Sequence, residues 1–323
     1  MRCLRCDVHY RISIILMHPS WLLSLGRSSN RPLSAGIACL VYVKRELYDD
    51  FVDVATDSVA CGVAGVGFNK GGAAVSATHA PSGAALLFVS AHFAAHQDEV
   101  DKRNADFRKI DRGLFSGGGG SASSQGGSPT GGSSGGGGAG GDNRGGGGSS
   151  SRGRRSNYSA SAAHDLAFWA GDFNYRIEGN RAAIDTALEL GLYEVLAAND
   201  QLAAERKAGR VFGGFEEGKL AFMLTYKFDP GSDEYDTSAK ARIPSWTDRV
   251  LWRLSATGAA GKLLVSQLSY HAVTAIKTSD HRAVAAAFEV RGRGSREQDG
   301  AAAGRGGQAA TGGCGGGGAC AVQ

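Results

Sequence analysis

One stretch limits what this chain can fold into more than any other. From Ser116 to about Gly153 the sequence is nearly all glycine and serine, and "SRGRRS" (151–156) closes the tract. Such a segment cannot bury enough apolar surface to offset the entropy of ordering it. Whatever folds must be assembled from segments on both sides, with 116–155 carried as a disordered surface insertion. As a flexible coil its roughly 38 residues span about 34 Å on average. Loop entropy grows slowly with length, so the insertion is tolerable. A second Gly/Arg/Ala-rich run, 291–323, reads as a disordered tail. With 50 glycines in 323 residues, the foldable part is ~250 residues, enough for one well-buried domain.

The remaining segments alternate in type. "GIACLVYV" (36–43), "AAVSATH" (73–79) and "ALLFVSAHF" (85–93) read as strands, the last apolar enough to be buried on both faces. "APSG" between the last two is a turn. Val100, Phe107, Ile110 and Leu114 form one apolar stripe, which predicts a helix over 97–114. Asp98, Glu99, Lys102, Arg103 and Arg108 fall on its wet side. Beyond the insertion, "HDLAFWAGDFNYRI" (164–177) runs from an apolar strand into a polar turn. Helical patterns follow at 180–192 and near 193–207. "SWTDRVLWRL" (245–254) reads as turn into strand, and "SDHRAVAAAFEV" (279–290) as loop into a last strand. Residues 1–35 carry no clean period and stay unassigned. Their apolar run "ISIILM" is short and broken by His18 and Pro19, so it does not make a membrane span.

A net charge of +4 suits an anionic partner without demanding one. Cys3 and Cys6 form a CxxC with no second pair, which argues against zinc. The scattered cysteines form no disulfide framework, so a reducing, cytoplasmic compartment is expected.

Taken singly, the polar turns are ordinary. "GDFN" and "SDH" are common loop sequences, His92 fits a core histidine, and Asp248 beside Arg249 fits a local ion pair. Together they differ. His92, His281, Asp172, Asp248, Asp280, Asn69 and Asn174 all fall at strand ends or adjoining loops. That inventory suits metal-assisted attack of water on a phosphate. Carboxylates hold a hard cation or take a proton from water, while amide and imidazole donors stabilise charge on phosphoryl oxygens.

Five motifs in consistent order carry a resemblance: "GFNKGG" (67–72), "SAHFAAH" (90–96), "HDLAFWAGDFNYRI" (164–177), "YKFDPGSDEYDTSAKARIPSWTDRVLW" (226–252) and "SDHRAV" (279–284). The chain resembles the inositol polyphosphate 5-phosphatases, within the endonuclease/exonuclease/phosphatase superfamily, over about 36–290. The resemblance implies an α/β fold, a four-layer αββα sandwich, incomplete at its N-terminus. It implies a Mg2+-dependent hydrolase that removes the 5-phosphate from phosphoinositides or soluble inositol polyphosphates. By the same resemblance Asp172 activates water, Asn174 orients the scissile phosphate and His281 contacts it in the transition state. Asp248 holds the His281 ring, Asp280 supports metal and water, and His92 is a further phosphate contact. Tyr226, Lys227, Lys240 and Arg242 match the grip on a neighbouring 4-phosphate, with Asn69 and Lys70 as further substrate contacts and Arg176 either at the substrate's rim or shaping the loop. That grip argues against a nuclease and against nucleic acid as partner.

The match has gaps. The family's main magnesium ligand is a Glu on an early strand, yet residues 1–35 contain no Glu and the first is Glu46. Either the given sequence lacks the N-terminal part of the domain, the reading preferred here, or the protein is an impaired, phosphoinositide-binding pseudophosphatase. Phe68 stands where the family usually has Gly. The last four residues, "CAVQ", fit a prenylation box at Cys320, with Cys314 as a candidate second lipid site. A lipid anchor would hold the enzyme on the cytosolic face of a membrane.

Overall fold

The structure is a computed structural model and describes residues 9–16, 37–62, 69–117, 158–256, 261 and 263–292. Most of the Gly/Ser insertion, the tail with Cys314 and Cys320, Phe68 and the Cys3–Cys6 pair lie outside these residues.

Two sheets form the body. The larger runs β2 (Phe51–Ala60), β3 (Gly71–His79), β4 (Ala84–His92), β5 (Leu166–Asp172), β7 (Asp248–Leu254), β6 (Glu216–Glu217), and the smaller runs β1 (His9–Leu16), β9 (Ala283–Gly292), β8 (Leu263–Val273). Pairing is antiparallel except between β4 and β5. Among the described residues five α-helices accompany them: α1 (Val100–Gly113), α2 (Ala160–Ala163), α3 (Arg181–Glu189), α4 (Tyr193–Ala198) and α5 (Gln201–Lys207).

Side chains alternate across a strand, and this divides the core. Leu86, Phe168, Ala170, Val250 and Trp252 face the smaller sheet and meet Val284, Ala286, Phe288 and Val290. Leu87, Val89, Ala91, Ala167, Trp169 and Leu251 face the other way, against Phe107 and Ile110 of α1 and Leu202 of α5. Helix, sheet and sheet therefore stack in that order, three layers of the four-layer αββα sandwich that the resemblance implies. Each fully buried Leu, Val or Phe contributes roughly 1.5–3 kcal/mol. A third cluster packs Ile184 of α3 and Leu196 of α4 on Ile177, Leu224 and Trp246.

Several local readings need correction. Residues 37–44 form no strand; they lead to a 3₁₀ turn at Arg45–Asp50. Leu40 and Tyr42 are exposed there, and strand-forming residues make a strand only where a partner and a buried face await them. The strand lies next, at β2, the edge of the larger sheet. The unassigned N-terminal segment supplies β1, paired along its length with β9 from His9↔Arg291 to Leu16↔Val284. β8 has no counterpart in the sequence reading, because a register shift between Gln267 and Ser269 interrupts its alternation. The helical pattern over 193–207 is two helices, broken where the Asp200 side chain accepts from Ala203 N and caps α5. Arg103 is not on a wet face but fully buried.

Candidate active site

Strand register builds the site. His92 pairs with Asp172 across β4 and β5, and Asp172 pairs with Asp248 across β5 and β7. Paired residues share a face of the sheet. By alternation that face is the one turned to the smaller sheet, whose β9 begins just after His281. The carbonyl and side-chain atoms meet closely here. Gly171 has φ +153°, and a Cβ on it would lie 1.8 Å from Ala91 O, so only glycine lets β4 and β5 approach at this point.

Hydrogen bonds then fix each group. Asp248 Oδ2 accepts from His281 Nδ1 at 2.8 Å, Thr247 Oγ1 at 2.9 Å and Thr225 Oγ1 at 3.0 Å. Donation from Nδ1 sets the ring's tautomer and orientation. Asp172 Oδ1 accepts from Asn174 N at 3.0 Å, and its Oδ2 from Asn174 Nδ2 at 2.9 Å. His92 Nε2 lies 3.1 Å from Asp172 Oδ2, with Lys70 Nζ against the same nitrogen. Asn174 Nδ2 also donates to Phe93 O at 3.1 Å. The amide that the resemblance assigns to the phosphate thus holds the Asp172 carboxylate in this arrangement.

The electrostatics follow from burial and these contacts. Burial alone would raise the Asp172 pKa, but the His92 hydrogen bond and the charges of His92, His281 and Lys70 outweigh it, and the carboxyl stays well below its usual range. Burial alone would lower that of His281, but Asp248, Asp172 and Asp280 raise it above the usual histidine value. Burial brings Lys70 down to about 8, against the pull of Asp172 and Asp106. The surroundings thus favour the ionised form of the Asp172 carboxylate and the charged form of the His281 imidazole.

The surrounding residues divide into buttress and rim. Arg176 Nη2 donates to Asn174 Oδ1 at 2.7 Å, and its guanidinium lies 4.2 Å from the centre of the Tyr226 ring. Tyr226 in turn packs on His281, centroids 4.7 Å apart. Arg176 is therefore buried inside the site wall rather than displayed at the rim. Lys227 Nζ donates to Asp280 Oδ2 at 2.6 Å. Lys240 and Asn69 are exposed. Arg242 Nη1 lies 3.4 Å from Asp236 Oδ2, and Asp236 N donates to Lys227 O at 2.9 Å, so this loop joins the site through Lys227. The expected Asp248–Arg249 pair does not form. Arg249 points to the opposite face and binds Asp200 and Glu217.

Sequence reasoning passed over a second row of support. Arg103 donates to Gln97 O at 3.0 Å and Gln201 Oε1 at 2.6 Å, and its guanidinium stands 5.2 Å from the Tyr175 ring centre. Tyr175 Oη donates to Asn104 Oδ1 at 2.7 Å, and Asn104 Nδ2 to Glu205 Oε2 at 2.7 Å. Helices α1 and α5 so brace the turn that carries Asp172 and Asn174. The available signal was "RN" one helical turn before Phe107, polar residues on the stripe side.

Asp172, Asp248 and His281 place ligand atoms within 4.8 Å of one another, close enough to hold one metal ion. Asp280 lies outside that trio, on Lys227. The two carboxylates are hard oxygen donors, as magnesium or calcium requires, and magnesium commonly takes one or two carboxylates and fills its shell with water and phosphate oxygens. The imidazole is already committed to Asp248.

The sequence family described as Endonuclease/Exonuclease/phosphatase family 2 matches residues 30–287. The chain is 33% identical over 258 residues to the type II inositol 1,4,5-trisphosphate 5-phosphatase of Mus musculus, covering 79% of this chain and 22% of that protein. It is 34% identical over 276 residues to synaptojanin-1 of Homo sapiens, covering 79% of this chain and 15% of that one. The chain thus spans less than a quarter of the length of either relative. Among solved structures it is similar to the inositol polyphosphate 5-phosphatase domain of SPsynaptojanin in complex with inositol (1,4)-bisphosphate and calcium ion. That likeness has TM-score 0.56 and 27% identity, over 79% of this chain and 60% of the other. With the sandwich fold, the aligned strand-end carboxylates and these likenesses, the chain belongs to the endonuclease/exonuclease/phosphatase family, on its inositol polyphosphate 5-phosphatase branch.

Proposed function

We propose that this chain is a Mg2+-dependent phosphomonoester hydrolase that removes the 5-phosphate from phosphoinositides or soluble inositol polyphosphates. The row His92–Asp172–Asp248 with His281 held on Asp248 carries this reading. Asp172 and Asp248 would hold the magnesium, which supplies charge stabilisation to the phosphoryl oxygens when bound. Asp172 stays ionised and is fixed by Asn174 and His92, so it orients an attacking water by accepting its proton's hydrogen bond. A phosphate dianion arriving beside it would raise its proton affinity toward that of a base. Protonated His281 donates to the same phosphate, with Asp248 keeping the charge on the ring. Lys70 and His92 offer further donors. Lys227, Lys240 and Arg242 supply cationic groups for a neighbouring phosphate.

The test is phosphate release from a 4,5-bisphosphorylated inositide with magnesium. Release that falls by at least about a hundredfold in Asp172→Ala is the expected outcome; unchanged release in that variant refutes the assignment. The second reading, a module that binds without turnover, is favoured by the absence of Glu from residues 1–35. Binding to 4-phosphorylated vesicles with no release would support it, and turnover would remove it. Membrane attachment through Cys320 of "CAVQ" belongs to the same proposal, and incorporation of a labelled prenyl group, lost in Cys320→Ser, tests it.

A further inference from the structure

Arg181, the first residue of α3, takes no part in the chemistry above, yet it ties together the loop that bears Lys240 and Arg242. Its Nε donates to Asp185 Oδ1 and Oδ2 at 2.7 and 2.8 Å, one helical turn on. Its Nη1 donates to Asp236 O at 3.0 Å and to Arg242 O at 3.1 Å. Those carbonyls stand at the two ends of the loop. Nη2 reaches Tyr235 O at 3.4 Å.

Inside the loop, buried Asp236 accepts from Ser238 N at 3.2 Å and Arg242 N at 2.9 Å. Burial alone would raise its pKa, but hydrogen bonds from the Ser238 side chain, the Arg242 and Ser238 backbone and the Arg242 side chain hold it down to about 2. The residues between, Thr237 to Ala241, are all exposed. No apolar anchor therefore shapes the loop; the guanidinium across its mouth and the carboxylate within it do. Nη1 meets both carbonyls while Nε of the same rigid guanidinium holds the Asp185 carboxylate, a division of donors that a single lysine ammonium does not reproduce.

The geometry points to Arg181 as a positioning residue for substrate choice. It closes the 236–242 loop so that Lys240 and Arg242 are held for a phosphate beside the scissile one. This rests on the proposed function, since it presumes that the loop meets substrate. The class it selects is inositol compounds with vicinal phosphates.

The experiment compares hydrolysis of phosphatidylinositol 4,5-bisphosphate with that of phosphatidylinositol 5-phosphate by wild type, Arg181→Met and Arg181→Lys. Losing a clamp worth about 1.4 kcal/mol is about tenfold in affinity. KM for the bisphosphate is expected to rise about tenfold in both variants, with kcat and all monophosphate kinetics unchanged within about twofold. Equal losses on both substrates, no change, or full rescue by lysine would overturn the inference, the last because charge alone would then suffice. Should Arg181→Met fail to fold, Asp185→Asn, which frees Nε, is read instead: a smaller fall in bisphosphate preference upholds the inference and an unchanged preference overturns it. Should the wild type hydrolyse neither lipid, calorimetry with inositol 1,4-bisphosphate decides. Binding weakened about tenfold in Arg181→Met upholds the clamp while removing the proposed activity; binding equal in both proteins, or absent, overturns it.

Discussion

Replacing Arg249 by methionine tests how the larger sheet is held in register at the site. Arg249 and Asp200 are 1% and 0% exposed, and Glu217 is 6% exposed. The guanidinium donates to both Asp200 oxygens at 3.0 Å, and to Glu217 at 2.6 and 2.8 Å. Methionine fills much of the same volume but leaves buried Asp200 without its cation, while Glu217 keeps Arg206 at 3.1 Å and the Tyr270 hydroxyl at 3.4 Å. Breaking a buried ion pair from one side costs about 3–5 kcal/mol, against a total stability of about 5–15 kcal/mol. Urea unfolding should show that loss as a lowered midpoint with an unchanged slope. The pH dependence sharpens the test. Burial already raises Asp200 above its ordinary value, and Arg249 is its main opposing influence. Without Arg249 the folded-state value rises further. A raised folded value means the native state binds the proton more tightly, so stability falls as pH rises through that window. The variant's deficit is therefore greatest at neutral pH and narrows as pH falls. The double change Arg249→Met, Asp200→Asn should recover part of the loss, since Asp200 is the buried charge left without a cation while Glu217 keeps Arg206. A deficit under about 1 kcal/mol, the worth of an exposed pair, independent of pH and unimproved by the double change, would refute the argument.

Asp248→Asn removes the main influence that raises the His281 pKa. If protonated His281 drives turnover, the alkaline limb of the pH–rate profile should move to lower pH in this variant; an unmoved limb rejects that role. Gly171→Ala would set a methyl against Ala91 O, and overpacking of this kind costs about 1–3 kcal/mol. Chemical unfolding should show that loss, together with slowed phosphate release. Chelation should stop phosphate release and added Mg2+ should restore it, which a titration with a divalent chelator checks.

The candidate site residues were legible because chemistry dictates residue type, and motifs such as "GDFNYR" and "SDH" place those types beside apolar strands. The helix at 100–113 was legible from its 3.6-residue stripe, and the Gly/Ser insertion from composition. These are local properties. Three things were decided only in the assembled fold. The alignment of His92, Asp172 and Asp248 depends on which strands pair and in what register, and no single segment encodes its neighbour. The strands β1, β2 and β8 formed where a sheet edge offered hydrogen bonds, whereas the more apolar 37–44 run found none and stayed irregular. Polar side chains were the hardest to place. Arg103 and Arg249 read as surface or local-pair residues, yet both are buried, because partners distant in sequence replace the water they lose. Burial of a charge is settled by its partners' positions, and those exist only once the chain has closed on itself.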